Sequence, residues 1–321
     1  MRLERAVLCG VIALGLAACQ ARPQATVVPP IPSTEQGPLR RPAVAGSFYP
    51  GDPQELANLV DSLLEEWQPT PDRPIALVVP HAGYPYSGHV AAAAYAELRG
   101  QHYEAIILVG PNHYLEELTG VAIYPAGAFE TPLGQVPVQA ELARAILAAE
   151  PSFQEDPALH SQEHSLEVQL PFLQRALPGT PIVPILIGRP TTRNLDALAR
   201  ALTQVLAGRE VLLIASSDLS HYPAYDDAVR VDQATLAAIA TMDPDAFLEA
   251  LDQEMAQGVP NLLTPACGEG AIAVVMQVAL QLGADRVALL HYANSGEVPG
   301  GDRDRVVGYG AVKFWNSRQV Q

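Results

Sequence analysis

Hydrophobic positions along the chain form short β-branched runs that alternate with longer alanine- and leucine-rich segments of helical period. Short runs rich in Val and Ile predict strands, and apolar residues that recur at about every third or fourth position predict helices. The predicted strands are Ile75–Val79, Ala105–Val109, Val121–Tyr124, Ile182–Ile187, Val211–Ala215, Val287–His291 and Val307–Phe314. The predicted helices are Pro53–Trp67, Gly88–Arg99, Gln139–Ala149, Ser165–Ala176, Arg193–Ala207, Ala224–Thr241, Pro244–Gln257 and Gly268–Leu282.

The alternation of these elements decides the fold class. Strands that alternate with helical segments are typical of a mostly parallel sheet covered by helices on both faces. We therefore expect an α/β fold of three layers, with a mostly parallel or mixed central sheet. No linker-like segment follows Arg41, so residues 42–321 are predicted to form one domain.

Composition and charge narrow the classes of partner. Hydrophobic residues make up 49% of the 321 residues, enough for a sizeable core. The formal net charge is −16, from 35 acidic and 19 basic residues. Nucleic acid and anionic membrane surfaces attract positive charge, so this balance argues against either as the main partner.

The first residues have the pattern of an export signal. Met1–Arg5 carries two arginines, and Ala6–Ala18 is free of charge but too short to span a bilayer comfortably. The segment ends in "LAAC" at Cys19, which resembles a bacterial lipobox, where cleavage leaves the cysteine as a lipidated N-terminus. The predictions are a signal peptide over residues 1–18 and lipidation of Cys19. The alternative is an ordinary signal peptide with a chance cysteine.

Residues 19–41 are rich in proline, glutamine and threonine and show almost no apolar periodicity. Such a segment cannot bury enough surface to fold, so we predict a disordered, semi-rigid tether. Together with the signal, it predicts a protein of the bacterial cell envelope, extracytoplasmic and anchored to a membrane by its lipid.

Only one of the three cysteines, Cys267, is predicted to be a free thiol in the folded domain. Cys9 departs with the signal peptide and Cys19 carries the lipid, so Cys267 is alone and no intramolecular disulfide is expected. A single thiol in an oxidising compartment is at risk unless it is buried or coordinated. Cys267 is therefore either an inert buried residue or a ligand.

Three predicted strands end in polar residues that can bind metals. "VVPHAGY" delivers His81, "ILVGPNH" delivers His113, and "IASSDLSH" delivers Asp218 and His221. In open α/β sheets, ligands bind beyond the carboxyl ends of the strands. A single histidine in such a place is usually a hydrogen-bonded surface residue, but its repetition at three strand ends favours a common site.

Cys267 lies in "TPACGEGA", just before a long apolar helix. The helix dipole favours the thiolate of a cysteine at a helix N-terminus, and a thiolate is a strong metal ligand. Glu269, two residues further on, is either a carboxylate beside the site or a competing ligand.

The segment "HSQEHSLEVQLPF" opens another predicted helix. His160 and His164 have the spacing of a helical two-histidine zinc site, although the segment is not an H-E-x-x-H motif. Glu163 and Glu167 stand one turn apart and would share a helix face. A capping cluster at a helix start explains the segment equally well.

With these motifs in view, the chain resembles the Memo family, whose bacterial members include AmmeMemoRadiSam system protein B. The likeness lies in "AGSFYPGD", "PHAGYPYSGH", "GPNH", "EHSLEVQLPF", "SSDLSHY" and "PACGEGA", in the family's order over about residues 41–315. The lipobox and tether are additions to the usual family pattern.

The resemblance implies a fold similar to class III extradiol dioxygenases, which use non-haem iron(II). It also implies a mononuclear metal site of His81, His113 and Cys267, with Asp218, His221 and His164 beside the metal. The dioxygenases complete their site with a carboxylate, and a thiolate in its place shifts preference toward copper(I), zinc or iron. This departure puts ring cleavage in doubt. Bacterial family members also imply a pathway link to a radical-SAM protein.

Several functions stay open at this point. One is a redox enzyme with one iron or copper ion, or zinc, acting on oxygen or a small-molecule substrate. In it His221 would be the general acid/base, and Asp218 would orient His221 or hold a water. Another is a metal-binding lipoprotein without turnover. A third is peptide binding in a cleft lined by aromatic residues, namely Phe48, Tyr49, Tyr84 and Tyr86.

Overall fold

The computed structural model describes residues 37–114 and 118–320, with side chains to residue 318. The signal peptide over residues 1–18, the lipidation site Cys19 and the tether up to residue 36 lie outside the described residues. No helix in the described part of the chain combines the length and the apolar character needed to cross a membrane.

A seven-stranded sheet forms the centre of the fold. The strands are β1 Leu39–Arg40, β2 Asp72–Val79, β3 Ala105–Pro111, β4 Val121–Ile123, β5 Ala128–Thr131, β6 Gly134–Pro137, β7 Ile182–Ile187, β8 Val211–Ser216, β9 Arg286–Asn294 and β10 Gly308–Val320. The central sheet has the order β4-β7-β3-β8-β2-β10-β9. Its middle strands β7, β3, β8 and β2 are parallel, whereas β4, β10 and β9 pair antiparallel.

Burial explains why the middle strands read as unbroken apolar runs. Every residue of β7 and β8 is buried, and so is β3 up to Gly110. A parallel strand covered on both faces has no solvent side, so polar residues do not alternate along it. The prediction of these strands from their Val and Ile content therefore succeeded.

Helices cover both faces of this sheet. They are α1 Pro53–Glu65, α2 Tyr84–Ala96, α3 Ala140–Ala149, α4 Leu170–Ala176, α5 Thr192–Leu206, α6 Tyr225–Ala240, α7 Pro244–Ala256 and α8 Glu269–Gln281. Helices α1, α2 and α4 contact one another, and α2 packs on β2, β9 and β10; α8 packs with α5 and α7 and lies on β2, β3 and β8. The predicted three-layer α/β fold with a mixed sheet is confirmed.

Two parts of the fold differ from the pattern-based expectation. Strands β1, β5 and β6 form a separate three-stranded sheet whose strands are too short to give a periodic signal. Because Arg40 of β1 is buried, the folded domain begins before residue 42. The helix predicted over Ser165–Ala176 begins as a 3-10 turn, Glu167–Gln169, since the Ser165 N–H donates to the Glu163 side chain instead.

The parallel middle of the sheet places the functional loops side by side. Strand β8 lies between β3 and β2, and all three run in the same direction. Their carboxyl ends therefore open at one edge of the sheet, where each strand is followed by one of the polar motifs. Helix α8 begins at the same edge, because the Gly268 N–H donates to Ser217 Oγ at 2.9 Å.

A buried ion pair joins β10 to α2. Lys313 is the only lysine of the chain. Its Nζ lies 2.8 Å from Glu97 Oε2, with side-chain exposures of 2% and 4%. Lys313 also donates to the Thr70 hydroxyl and lies over the Trp315 ring, 4.8 Å from its centroid. The ammonium is therefore fully partnered away from water.

Removing one member of this pair should be costly. Lys313→Met should lower the free energy of unfolding by about 3–5 kcal/mol, because Glu97 then stays buried without its cation. Adding Glu97→Gln should recover most of that loss. Urea unfolding measures both variants. As a control, Arg175→Met in the exposed Arg175–Asp61 pair should cost at most about 1 kcal/mol. Equal losses at the two sites would contradict the analysis.

Candidate metal centre

His81 follows β2 and is almost fully buried, at 1% exposure. Its backbone N–H donates to Asp218 Oδ1 at 2.7 Å. Its Nδ1 lies 2.9 Å from Ser216 Oγ, and its Nε2 lies 3.2 Å from Cys267 Sγ. One ring nitrogen therefore faces the end of β8, and the other faces the sulfur.

His113 follows β3 and is held by a buried carboxylate. Its Nδ1 lies 2.9 Å from Glu163 Oε1, and its backbone N–H donates to Glu163 Oε2 at 2.6 Å. The His113 side chain is 27% exposed, whereas that of Glu163 is 1% exposed. A carboxylate on one imidazole nitrogen orients the ring and leaves the other nitrogen for a metal.

Cys267 lies immediately before the first turn of α8 and is paired with the loop after β8. The Asp218 N–H donates to Cys267 Sγ at 3.3 Å, and the Cys267 N–H donates to the Asp218 carbonyl, also at 3.3 Å. The next residue, Gly268, lies so close that a Cβ there would be 2.5 Å from the Ser216 carbonyl oxygen. Only glycine allows the helix to start at this distance.

The structure brings His81, His113 and Cys267 together. One ligand atom from each residue lies within 4.8 Å of the others. This is the trio that the resemblance implied. The structure places the three side chains in one cluster, and their role as metal ligands stays a prediction.

Asp218 and His221 border the same cluster. Asp218 Oδ1 accepts the N–H groups of His81 and Ala82, at 2.7 and 3.2 Å. The His221 Nε2 atom is buried and has no hydrogen-bond partner among the described residues. Ligand atoms of Asp218, His221 and Cys267 also lie within 4.8 Å of one another. An unsatisfied buried nitrogen of this kind indicates a missing partner.

His164 lies on the other side of His113. The two rings stack with their centroids 4.7 Å apart. The Nδ1 of His164 lies 3.4 Å from Glu163 Oε1 and 3.3 Å from the Tyr114 hydroxyl. His164 thus contacts a predicted ligand, as the resemblance implied, and shares its carboxylate.

Burial keeps the imidazoles of His81, His164 and His221 neutral. Burial lowers the pKa of His81 well below its usual value, and the neighbouring His113 and His164 lower it further. Burial also lowers the pKa of His164 and that of His221, each to about 4. Neutral imidazole is the form that binds a metal ion.

The acidic groups respond to burial in different ways. Burial opposes ionisation of Glu163, but hydrogen bonds from His113 and the nearby imidazoles outweigh it and lower the pKa to about 2. Burial raises the pKa of Asp218 to about 7, although N–H groups of His81 and Ala82 oppose the rise. Glu163 is therefore the fixed negative charge beside the cluster.

The pKa of the Cys267 thiol is raised, although its position at a helix N-terminus predicted that the thiolate would be favoured. Burial and the Asp218 carboxylate raise the pKa of Cys267 well above its usual value, so without a metal the helix N-terminus does not produce a thiolate. Of the two predicted states of Cys267, buried residue or ligand, the metal-free protein therefore has the first, a protonated thiol. A bound cation reverses this balance, since a coordinating thiol loses its proton.

His160 lies apart from the cluster. It is 1% exposed, and its ring lies edge-on to Tyr124 and Phe129, with centroids 5.4 and 6.2 Å away. No group of candidate ligands within the described residues contains it. The helical two-histidine zinc site suggested by the His160–His164 spacing is therefore wrong, because the two residues do not lie on one helix.

Glu163 and Glu167 also do not share a helix face. The Glu167 carboxylate forms an ion pair with Arg40 and accepts the N–H groups of Ala43 and Val44, at 2.7 and 3.0 Å. Arg40 further donates to the Glu163 carbonyl at 2.6 Å. One carboxylate thus anchors the N-terminal segment while the other holds His113.

A cleft of about 620 Å³ opens beside the cluster. Its lining includes His113, His221 and Cys267 together with Arg189 and Glu269. A cavity of this size is typical of small-molecule sites. Glu269 therefore borders the cleft, and among the described residues it belongs to no group of candidate ligands.

The aromatic residues proposed as a peptide cleft are largely internal. Tyr49 and Tyr84 are 3% and 6% exposed, and the Tyr84 hydroxyl donates to the Val168 carbonyl. Tyr86 alone of the four is exposed, and Phe48 packs partly against the core. A peptide cleft lined by all four rings is therefore wrong, because two of them serve as core.

Three polar residues around the cluster were not identified as functional from the sequence. Glu163 binds His113, Ser216 binds His81, and Gln169 donates to Ser216 Oγ at 2.8 Å. All three lie inside the quoted motifs "EHSLEVQLPF" and "SSDLSHY". Their position inside the family motifs indicated that they matter, but residue spacing cannot show which distant residues they contact.

The loop that carries His221 rests on a buried carboxylate of α6. Asp232 Oδ1 accepts the Ser220 N–H at 2.8 Å, and Oδ2 accepts the Tyr292 hydroxyl at 2.8 Å. A Cβ at Gly308 would lie 2.0 Å from Asp232 Oδ2, so glycine is required there. Burial raises the pKa of Asp232 to about 6, although these hydrogen bonds oppose the rise.

Known proteins are similar to this chain over nearly all of its described residues. The family model described as Memo-like protein matches residues 40–313. A MEMO1 family protein of Thermoplasma volcanium is 38% identical over 276 residues, covering 85% of this chain and 97% of that protein. MEMO1 family proteins of Caldivirga maquilingensis and Nitrosopumilus maritimus are each 36% identical, covering 86% of this chain and 99% of their own length.

One solved structure is also similar. It is a crystal structure of an uncharacterized protein, JW3007, from Escherichia coli K12, with a TM-score of 0.48 and 14% identity. It covers 75% of this chain and 99% of that chain.

The buried Asp232 predicts a pH dependence of stability. Its carboxyl has a pKa of about 6 in the folded protein against 3.8 for the free group, so the folded state binds this proton more tightly. The contribution of Asp232 to the free energy of unfolding should therefore fall as pH rises from about 4 to about 6, by up to about 3 kcal/mol, while the buried histidines contribute in the opposite direction. Asp232→Asn should remove this contribution. Urea unfolding of both proteins across this range measures it, and parallel pH profiles would contradict it.

Proposed function

The chain belongs to the Memo-like protein family, and from this premise we propose that it binds one metal ion through His81, His113 and Cys267 at the edge of its central sheet. The observation that carries the proposal is the cluster of two imidazoles and one thiol, with one ligand atom from each within 4.8 Å of the others. His81 and His113 follow β2 and β3, and Cys267 precedes α8, so three distant segments of the chain supply the cluster.

The donor set suits a metal. The Nδ1 atoms of His81 and His113 are bound by Ser216 and Glu163, so each ring turns its Nε2 toward the cluster. The imidazoles that burial keeps neutral need not lose a proton to coordinate. The buried and unpartnered Nε2 of His221 at the margin supports an occupant of the cluster that hydrogen-bonds or binds nitrogen.

The chemistry of the ligands limits the metal. Two imidazoles and a thiolate suit copper(I), zinc or iron better than magnesium or calcium. We propose iron or copper, with zinc as the alternative. A metal of this kind supplies a redox-active or Lewis-acidic centre when it is bound.

The cleft beside the cluster supports a small-molecule substrate. Because His113, His221 and Cys267 all line it, a molecule in the cleft would reach the metal ligands and His221 together. The His221 N–H donates to the Thr264 carbonyl and the His221 carbonyl accepts the Leu263 N–H, both at 3.0 Å, so the backbone that carries the ring is held in place. We propose that His221 moves a proton at Nε2, that Asp218 holds the loop, and that His164 orients His113.

Metal binding without turnover is the second candidate. The same ligands would serve a protein that holds copper or iron, and the buried His81 would slow exchange of the ion. The two functions separate in one measurement, because only an enzyme consumes oxygen with a catechol or diol substrate.

Location in the cell envelope is proposed from the sequence. "LAAC" at Cys19 and the following tether support a lipid-anchored domain outside the cytoplasm. The radical-SAM protein implied by the family resemblance is a proposed pathway partner of this domain.

Loss of the sulfur should abolish metal binding. Cys267→Ala should bind iron(II), copper(I) or zinc at least about 100-fold more weakly than the wild type, since only two imidazoles remain. Metal content after loading and desalting measures this, with oxygen uptake in the presence of catechols followed in the same samples. His291→Ala is the matched control, because His291 lies outside every candidate group among the described residues.

The outcomes are distinct. Equal metal content in wild type and Cys267→Ala would reject the ligand set. If Cys267→Ala loses its metal but the metal-loaded wild type takes up no oxygen, the protein binds metal without turnover. The proposal of an oxygen-consuming enzyme would then be rejected.

Lipidation should determine where the protein is found. In a bacterial host, the wild type should incorporate labelled palmitate and sediment with membranes, whereas Cys19→Ala should lose both the label and most of the membrane fraction. Cys9→Ala is the control, since Cys9 lies within the predicted signal peptide. Labelled Cys19→Ala protein would reject the anchor.

A further inference from the structure

A buried chain of hydrogen bonds leads from the core to His81. The Tyr95 hydroxyl donates to Gln169 Oε1 at 2.7 Å. Gln169 Nε2 donates to Ser216 Oγ at 2.8 Å, and Ser216 Oγ lies 2.9 Å from His81 Nδ1. None of these four residues is more than 1% exposed. We call Tyr95, Gln169, Ser216 and His81 the Ser216 chain.

The orientation of the Gln169 amide is fixed by its neighbours. Its Nε2 lies 3.0 Å from the Pro80 carbonyl oxygen as well as 2.8 Å from Ser216 Oγ. A carbonyl oxygen only accepts, so the amide nitrogen must be the group that faces Pro80. Both amide protons are then used, one on Pro80 and one on Ser216.

The single proton of Ser216 is also accounted for. Ser216 Oγ lies 2.7 Å from the Ser165 carbonyl oxygen, which cannot donate. The hydroxyl proton therefore lies on the bond to Ser165. Its oxygen has two lone pairs, and Gln169 occupies one of them. Toward His81, Ser216 can only accept.

We propose that Ser216 is a positioning residue that fixes the tautomer of His81, with the proton on Nδ1 and a lone pair on Nε2. In a neutral imidazole one nitrogen donates and the other accepts. Because His81 must donate from Nδ1, its Nε2 presents a lone pair toward Cys267 Sγ, 3.2 Å away. This inference rests on the proposed function only for the use of that lone pair, which is metal coordination.

The Ser216 chain differs from the arrangement at His113. There the Glu163 carboxylate holds the ring, with Oε1 2.9 Å from His113 Nδ1 and Oε2 accepting the His113 backbone N–H at 2.6 Å. At His81 a neutral hydroxyl has the same effect, since its other bonds leave it no proton to give. Ser216 thus prepares His81 for a metal without placing a second negative charge beside Asp218.

The tautomer is measured directly in the metal-free protein. Long-range ¹H–¹⁵N spectra of the whole chain, labelled with ¹⁵N-histidine and treated with a chelator, separate protonated from bare ring nitrogens. The His81 signals are identified by their loss in His81→Gln. We expect a protonated Nδ1 and a bare Nε2 in the wild type. A His81 proton on Nε2 would overturn the inference.

Two variants test the cause. In Ser216→Ala, His81 should shift toward the other tautomer, and zinc affinity by chelator competition should fall about 10- to 100-fold. Ser216→Thr keeps the hydroxyl and should restore both readouts. Thr235→Val is the matched control, because it removes a buried hydroxyl on α6 that has no hydrogen-bond partner among the described residues. An unchanged tautomer in folded Ser216→Ala would overturn the role of Ser216.

The failure of the proposed function would look different. If wild-type protein binds no zinc, iron(II) or copper(I) but carries the His81 proton on Nδ1, the metal site is rejected and the tautomer assignment stands. If it binds metal but carries the proton on Nε2, the Ser216 inference fails while the ligand cluster remains.

Discussion

The site depends on one residue, Asp218, that joins three loops at the edge of the sheet. Its carboxylate accepts the N–H groups of His81 and Ala82 after β2, and its backbone N–H and carbonyl pair with Cys267 before α8. Asp218 itself follows β8, the strand that lies between β3 and β2. These bonds are 2.7 to 3.3 Å long, so the backbone of this loop sets the separation of the imidazole from the sulfur. As a result, His81 Nε2 and Cys267 Sγ lie 3.2 Å apart.

A buried ion pair between Arg40 and Glu167 connects the N-terminal strand β1 to the site. Arg40 neutralises Glu167 and also donates to the carbonyls of His160 and Glu163, so one guanidinium joins β1 to the segment that holds His113. A buried pair of this kind adds little net stability, but removing one partner leaves an uncompensated charge. The cation therefore specifies where the N-terminal strand docks.

The sequence was sufficient for the features that follow from strand direction. Parallel strands put their carboxyl ends at one edge, so His81, His113 and Asp218 had to be neighbours once β2, β3 and β8 were adjacent. Cys267 was placed there only by family resemblance, since nothing in its spacing links it to those strands. Gln169 was beyond prediction for the same reason, because its partners are separated from it by long stretches of chain. The thiol's raised pKa needed the burial that only the fold supplies.

Charge counting connects this geometry to the choice of metal. Under the proposed ligands, a divalent ion with two neutral imidazoles and one thiolate carries a net charge of about +1, and copper(I) carries about zero. Glu163, the fixed negative charge that binds His113, would offset the net charge of a divalent site, and it would leave a copper(I) site with a net charge of about −1. Burial raises the pKa of Asp218 to about 7 in the metal-free protein, and a bound cation would favour its ionised form. Its carboxylate also accepts the His81 and Ala82 N–H groups, so the side chain that sets the ligand spacing is also a charged group that would respond to the ion.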